Sequence, residues 1–516
     1  MKLGVAQINL GVGNLDFYFD KLLAAVNNLI TQNAEIIALP QLALTGVPAE
    51  DFLKYTDYLQ KQDDNLAILK TRYPEIHLLV GGVLQQDDKL YNVIFYLHND
   101  KIQKIFPKQQ LIEAEWLDEK HYFEAGKREN HFIEIDGKRI SINFDCFHTD
   151  VSYQSDVLLF FTTVPAHRYK ELSKNFKKKL KVIQKPAVVL NYLGSEGRYL
   201  FAGGSYALNS AQETIVDFPF FDEKQAIVDL NTMEELPAID TSVSDIEFIH
   251  NALIFGIKDY FNRTGFKKAI IGLSGGIDSA VVAALAVEAL GKDNVQGILM
   301  PSEFSSSHSV DDAIALSENL EISHETLPIK NTYDSFLETL NPLFKDLPFN
   351  VAEENLQARI RGTLLMAVAN KFNAIVLNTS NKSEALVGYG TLYGDLVGSI
   401  GVIEDLYKTE VYELAHFINR NKKIIPTHIL EKAPSAELHP DQKDSDSLPP
   451  YDVLDNILRE FVEHRHSKSE IIAMGYDEHA VNHTIELLYA NDYKKFQVPP
   501  PLVVTGKGKY FPLLLK

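Results

Sequence analysis

The chain has 516 residues, 45% hydrophobic and 23% charged, and 50 Lys and Arg against 70 Asp and Glu give a formal charge of −20. That length exceeds one hydrophobic core, and the composition excludes a disordered, collagen-like or low-complexity chain. The acidic balance argues against broad nucleic-acid binding. A single cysteine, Cys146, excludes an intrachain disulfide or a multi-cysteine zinc site.

Residues 5–10 read as a strand and residues 16–31 as an amphipathic helix. Residues 35–40, 77–83, 90–97, 132–135, 140–144 and 157–161 continue as strands, some alternating and some uniformly apolar. Alternation of strands with helices predicts an α/β sandwich. The lysines at 174, 177, 178, 179 and 181 are expected on one solvated helix face, with a nucleic-acid or anionic-partner patch as the lesser alternative. A boundary is expected near residues 225–245, where the chain turns polar and Pro-containing. A helix over 245–263 follows, then a second series with strands at 269–273, 295–300 and 374–378 and an apolar helix at 280–290. Those strands are continuous apolar runs, as in a parallel sheet covered on both faces. Residues 434–451, rich in Pro, Ser and Asp, are expected as an exposed, mobile loop. No segment reaches the ~20 apolar residues of a membrane span. The N-terminus has no long apolar core like that of a secretory signal, so a cytoplasmic location is expected.

Ser274-Gly275-Gly276-Ile277-Asp278-Ser279 carries the most information. It follows a strand and opens an apolar helix. Adjacent glycines turn the backbone sharply, and the helix N-terminus offers free N–H donors and partial positive charge to a phosphate. Asp278 suits phosphate only with a divalent cation between them, which points to magnesium. The bland alternative is a strand–helix turn with a Ser cap. Walker A spacing is absent.

This loop resembles the pyrophosphate loop of N-type ATP pyrophosphatases, a group that includes GMP, asparagine and NAD synthetases. Downstream come Glu354-Asn355-Leu356-Gln357-Ala358-Arg359-Ile360-Arg361, Thr379-Ser380-Asn381-Lys382-Ser383-Glu384, residues 388–395, Lys408-Thr409, Pro434-Ser435-Ala436-Glu437-Leu438 and Leu448-Pro449-Pro450-Tyr451. In this order they resemble NAD+ synthetase across residues 245–516. The resemblance implies amidation of deamido-NAD through an adenylate, with release of AMP and pyrophosphate. It places Gly272, Leu273, Ser274, Gly275, Gly276, Ile277, Asp278, Ser279 and Thr379 at ATP. It places Asn355, Glu384 and Lys494 at deamido-NAD, and Asp278 and Glu384 at Mg2+. Phe496 departs from the family, which has a basic residue there. A preference for nicotinate mononucleotide therefore stays open.

Residues 1–235 resemble the nitrilase-type amidase domain of glutamine-dependent NAD+ synthetases. The quoted motifs are Leu39-Pro40-Gln41-Leu42-Ala43-Leu44-Thr45-Gly46, Lys108-Gln109-Gln110-Leu111 with Asp118-Glu119, residues 137–145, and Leu200-Phe201-Ala202-Gly203-Gly204-Ser205. The implied fold is an α-β-β-α sandwich followed by a Rossmann-like ATP pyrophosphatase domain with a parallel sheet.

Amidase chemistry in this family takes a Glu base, a Lys for the oxyanion and a Cys nucleophile. Only Lys108 remains. Gln41 holds the Glu position and cannot accept a thiol proton. Asp145 aligns with the Cys and is expected to pair with Lys108. Cys146, one residue on, points to the opposite face unless a bulge turns it back; otherwise it is a small buried apolar residue. Val164 and Tyr169 also depart from the family pattern. The expected donor is therefore ammonia, with an active amidase using Cys146 as the alternative. The first half is then expected as a structural or oligomerisation module of a homo-oligomer, in keeping with that half's part in the family's oligomer contacts and ammonia delivery.

Overall fold

The computed structural model describes residues 1–127, 131–145, 154–233, 243–345, 347–440 and 442–505. Two compact units divide the chain, Met1–Val243 and Ser244–Lys516. Among the described residues no helix is long and apolar enough to cross a membrane.

The first unit holds two six-stranded mixed sheets. Strands β1 (Lys2–Gln7), β2 (Ile36–Ala38), β3 (His77–Gln86), β4 (Lys89–His98) and β5 (Lys101–Pro107) belong to the first sheet. Strands β6 (Phe132–Ile135), β7 (Lys138–Phe144), β8 (Val157–Thr162), β9 (Ala187–Asn191), β10 (Tyr206–Leu208) and β11 (Thr214–Asp217) form the second. Strand β12 (Lys224–Asp229) returns to pair antiparallel with β1. The orders are β12-β1-β2-β3-β4-β5 and β11-β10-β9-β8-β7-β6, with β7, β8 and β9 parallel.

Period-two alternation sets the layers. Leu159 and Phe161 of β8 pack with Ile140, Ile142, Leu3, Val5 and Leu79 between the sheets. Leu158 and Phe160 face outward, under Phe176 and Leu180 of helix Ala166–Ile183. Helices Leu15–Thr31 and Thr56–Arg72 cover the other sheet through Leu22, Val26, Leu29, Leu66 and Leu69. This is the expected α-β-β-α sandwich.

Three local readings change. Strand β1 spans Lys2–Gln7 rather than 5–10, because Asn9 and Leu10 leave the sheet to join Leu193. Helix Thr56–Arg72 was not expected, since its inner face carries the buried Gln62 and Asn65. Gln62 bonds both backbone groups of Val83, at 2.6 and 2.9 Å, so a polar side chain takes a core position. Residues 434–440 and 442–451 keep several exposed positions, as their composition suggests, but are anchored at others. Glu437 accepts hydrogen bonds from Ser306 and Ser309, and Asp444 and Leu448 are buried.

The second unit is built on a parallel sheet. Strands β13 (Lys268–Gly272), β14 (Val295–Leu299), β15 (Ser323–Thr326), β16 (Ala374–Asn378) and β17 (Ile400–Gly401) lie in the order β15-β14-β13-β16-β17. The chain moves outward from β13 in one direction, then restarts at β16 on its other side. The switch point therefore lies between β13 and β16, where open α/β sheets bind ligands beyond the carboxyl ends of the strands.

Candidate active site

Strand β13 ends at Gly272 and hands over to Leu273, Ser274, Gly275 and Gly276 before helix Ile277–Leu290. Gly275 has φ +77°, and a Cβ there would lie 2.2 Å from the Ser309 carbonyl oxygen. Only glycine allows this turn. The serines brace it: Gly276 N–H donates to Ser274 Oγ (3.2 Å), and Ser279 Oγ donates to the Gly276 carbonyl (3.0 Å). Lys432 Nζ reaches the Gly275 carbonyl (3.2 Å) and Ser309 Oγ (2.6 Å). Glycine N–H groups, a helix N-terminus and a nearby ammonium suit a polyphosphate.

Across the switch point, β16 ends and Thr379 leads into Asn381, which caps helix Lys382–Val387. Asn381 Nδ2 donates to Asp278 Oδ1 (3.0 Å). Lys408 Nζ joins Asp278 Oδ2 (2.6 Å) and Glu384 Oε1 (3.1 Å). Burial raises Glu384 to about 7; Lys408 opposes that rise, and Asp278 and Asp444 add to it. Burial alone would lower Lys408, but Asp278 and Glu384 hold it above the usual lysine range. Two carboxylates thus face one point in a site short of positive charge. Their hard oxygen donors fit a magnesium ion.

Asn355 and Lys494 lie with a third segment. Asn355 Oδ1 accepts from Thr391 Oγ1 (2.6 Å), and Lys494 Nζ donates to the Gly388 (2.7 Å) and Gly390 (2.8 Å) carbonyls. Both hold the 388–391 turn, and no hydrogen bond joins either to Glu384. Burial lowers Lys494. Phe496 is exposed.

The first unit gathers a second constellation. Gln41 follows β2, Lys108 follows β5 and Asp145 follows β7. Gly81 of β3 leaves room for this packing: a Cβ there would lie 2.3 Å from Leu42 N. Lys108 is fully buried and pairs with Asp145 and, at 2.7 Å, with Glu119. Burial would lower Lys108, but Asp145 and Glu119 together raise it. Glu119 also accepts from Asn92 Nδ2 (2.7 Å) and Ile112 N–H (2.8 Å). The network assigns the Gln41 amide: its nitrogen donates to the Phe161 carbonyl (3.1 Å), and its oxygen accepts from Asn92 (2.7 Å) and Lys108 (3.3 Å). Asp145 has φ +43° and accepts from Thr163 N–H (3.3 Å). The expected Asp145–Lys108 pair is present, and Cys146 lies outside the described residues. Val164 and Tyr169 are buried, Tyr169 against Phe220 and Gly204.

Glu119 and Lys408 lie in the sequence motifs, and the fold makes each a charge partner within its cluster. Lys408 opens helix Lys408–Ile418, where the helix dipole disfavours a cation, and only the fold brings Asp278 and Glu384 to it.

The NAD synthase family model matches residues 249–499. A glutamine-dependent NAD(+) synthetase from a Synechocystis species is 39% identical over 98% of this chain and 96% of its own length. The solved glutamine-dependent NAD+ synthetase of Acinetobacter baumannii, in complex with adenosine diphosphate, is 32% identical with a TM-score of 0.78, covering 98% of this chain and 99% of that one. The enzyme of the same name from Cytophaga hutchinsonii shares the fold at a TM-score of 0.87 and 18% identity, over 100% of this chain and 98% of its own. The chain belongs to the glutamine-dependent NAD+ synthetase family.

Proposed function

We propose that the chain amidates deamido-NAD to NAD+ at the expense of ATP, and that ammonia rather than glutamine supplies the nitrogen. In this reading the nicotinate carboxylate attacks the α-phosphate, an adenylate forms, pyrophosphate leaves, and ammonia displaces AMP. The 272–279 segment and Thr379 bind ATP; the Gly275 and Gly276 turn and the following helix N-terminus hold its phosphates. The adenosine diphosphate bound by the Acinetobacter baumannii relative supports a nucleotide site. Asp278 and Glu384 would hold Mg2+, which neutralises phosphate charge when bound. Asn355, Glu384 and Lys494 orient deamido-NAD, the first and last by fixing the 388–391 turn. Lys408 keeps the carboxylates from repelling the anionic substrates.

One observation carries the choice of ammonia. Lys108, the group suited to an oxyanion, is already neutralised by Asp145 and Glu119 in a site where Gln41 offers no basic oxygen. Loss of a general base alone costs ~10²–10⁴-fold. The relatives' names state glutamine dependence; this chain departs from it at its own residues. The first unit, spanning the nitrilase-like residues 1–235, then serves as a structural and oligomerisation module of a cytoplasmic homo-oligomer.

The test is product analysis with ammonium or glutamine as alternative donors, with deamido-NAD, ATP and Mg2+ present. Ammonium should yield NAD+, AMP and pyrophosphate, and glutamine should release no glutamate. Formation of ADP and phosphate would overturn the chemistry. Glutamate release that vanishes in Cys146→Ala would overturn the choice of donor.

A further inference from the structure

After helix Tyr451–Leu458 the chain makes a π-helical turn over Arg459–Glu463. His464 N–H donates to the Arg459 carbonyl (3.1 Å), five residues back, and His466 N–H donates to the Glu460 carbonyl (3.0 Å). Arg465 between them has φ +60°. This reversal turns both imidazoles toward one carboxylate. His464 Nδ1 lies 2.9 Å and His466 Nδ1 2.8 Å from the same oxygen, Glu460 Oε2. One ligand atom from each of the three residues lies within 4.8 Å of the others.

We propose that Glu460, His464 and His466 form a binding site for one divalent transition-metal ion of the zinc class. Three points carry it. The donor set is two imidazole nitrogens and one carboxylate, which suits zinc and its neighbours rather than magnesium or calcium. Backbone hydrogen bonds already fix the turn, so little ordering remains when the ion enters. Three protein ligands at a half-exposed position leave a coordination place for water. Without metal, each Nδ1 carries its proton to Glu460. On binding, the neutral rings hold their proton on the outward Nε2, and a doubly protonated ring releases one proton to solvent.

The site sits on a connected turn. Glu463 of that turn pairs with Lys382 (3.2 Å), and Arg459 approaches Glu410 (3.5 Å). Lys382 opens the short helix that carries Glu384. An ion here clamps an element that buttresses that helix. This role does not depend on which nitrogen donor the enzyme uses.

The experiment titrates Zn2+ into the chelator-stripped full chain by calorimetry, with Co2+ absorption as a second probe. The comparison proteins are a His464→Asn/His466→Asn double variant, Glu460→Gln, and a His479→Asn/His483→Asn control. That control removes the stacked histidine pair on helix Glu478–Ala490. Wild type and control should bind one equivalent at least tenfold more tightly than the first two. Zinc at about a hundred times its Kd should raise their Tm by roughly 3 °C or more, and leave the double variant unmoved. Equal affinity in wild type and double variant would overturn the proposal. So would loss of binding only in the control.

Discussion

Lys108→Met and Asp145→Asn should have very different costs, although each removes one member of the same ion pair. The wild-type cluster holds one ammonium and two carboxylates, with side chains 1% (Lys108), 0% (Glu119) and 9% (Asp145) exposed. Asp145→Asn leaves Lys108 paired with Glu119 at 2.7 Å. The remaining charges balance, so the change should stay within about 1 kcal/mol. Lys108→Met strands two carboxylates with no cation. Breaking a buried pair from one side costs about 3–5 kcal/mol, which at about 2–4 °C per kcal/mol in a unit of this size is a fall of roughly 10 °C. The single tryptophan, Trp116, lies in the first unit and packs against its core. Thermal unfolding followed by its fluorescence reads that unit alone. Equal losses in the two variants would refute the charge count.

On the proposed assignment, Asp278→Ala should lower ammonium-dependent NAD+ formation by about 10³-fold or more, in the range of lost electrostatic stabilisation, with an unchanged far-UV spectrum; turnover within tenfold of wild type would remove Asp278 from the site. Glu384 is raised to about 7 by burial, so its stabilising protonation is complete below its unfolded pKa and is lost as pH rises toward 7. Wild-type stability should fall between pH 5 and 8 without Mg2+, and Glu384→Gln should flatten that slope; identical slopes would count against the coupling. Deamido-NAD should be turned over with higher kcat/KM than nicotinate mononucleotide, because Asn355, Glu384 and Lys494 match the positions that the family resemblance places at the dinucleotide; the reverse order would reassign the substrate to the mononucleotide.

Much of the fold was legible because its strands announce themselves. In β8 every residue is buried, and alternate side chains serve different layers. Helix Thr56–Arg72 escaped notice because the buried Gln62 bonds to an edge of β3 far along the chain, and only tertiary structure reveals that partner. The Pro, Ser and Asp composition of residues 434–451 describes a partly exposed loop correctly, but says nothing of Glu437 accepting from Ser306 and Ser309. At the phosphate loop, glycine spacing and a following helix sufficed. The partners of Asp278, by contrast, come from residues 381 and 408, which sequence order separates and the switch point brings together.

The two charged centres invite comparison, because each places one lysine against two carboxylates. Exposure separates them. In the second unit Lys408 is 3% exposed, but Asp278 and Glu384 are each 18% exposed, so a ligand can reach the carboxylates. That centre is also strained electrostatically, as the raised Glu384 records. A divalent cation relieves such strain, and binding energy of that kind is available only where solvent once had access. In the first unit the lysine and Glu119 are sealed, and Asp145 pairs with Lys108 as well. On the proposed reading, a substrate charge would have to displace a carboxylate there. The same three kinds of group thus stay within reach of a ligand where the carboxylates are partly exposed and are sealed where they are buried. That difference in access, rather than the residue types alone, is the physical ground for the proposal that ammonia-dependent turnover belongs to the second unit.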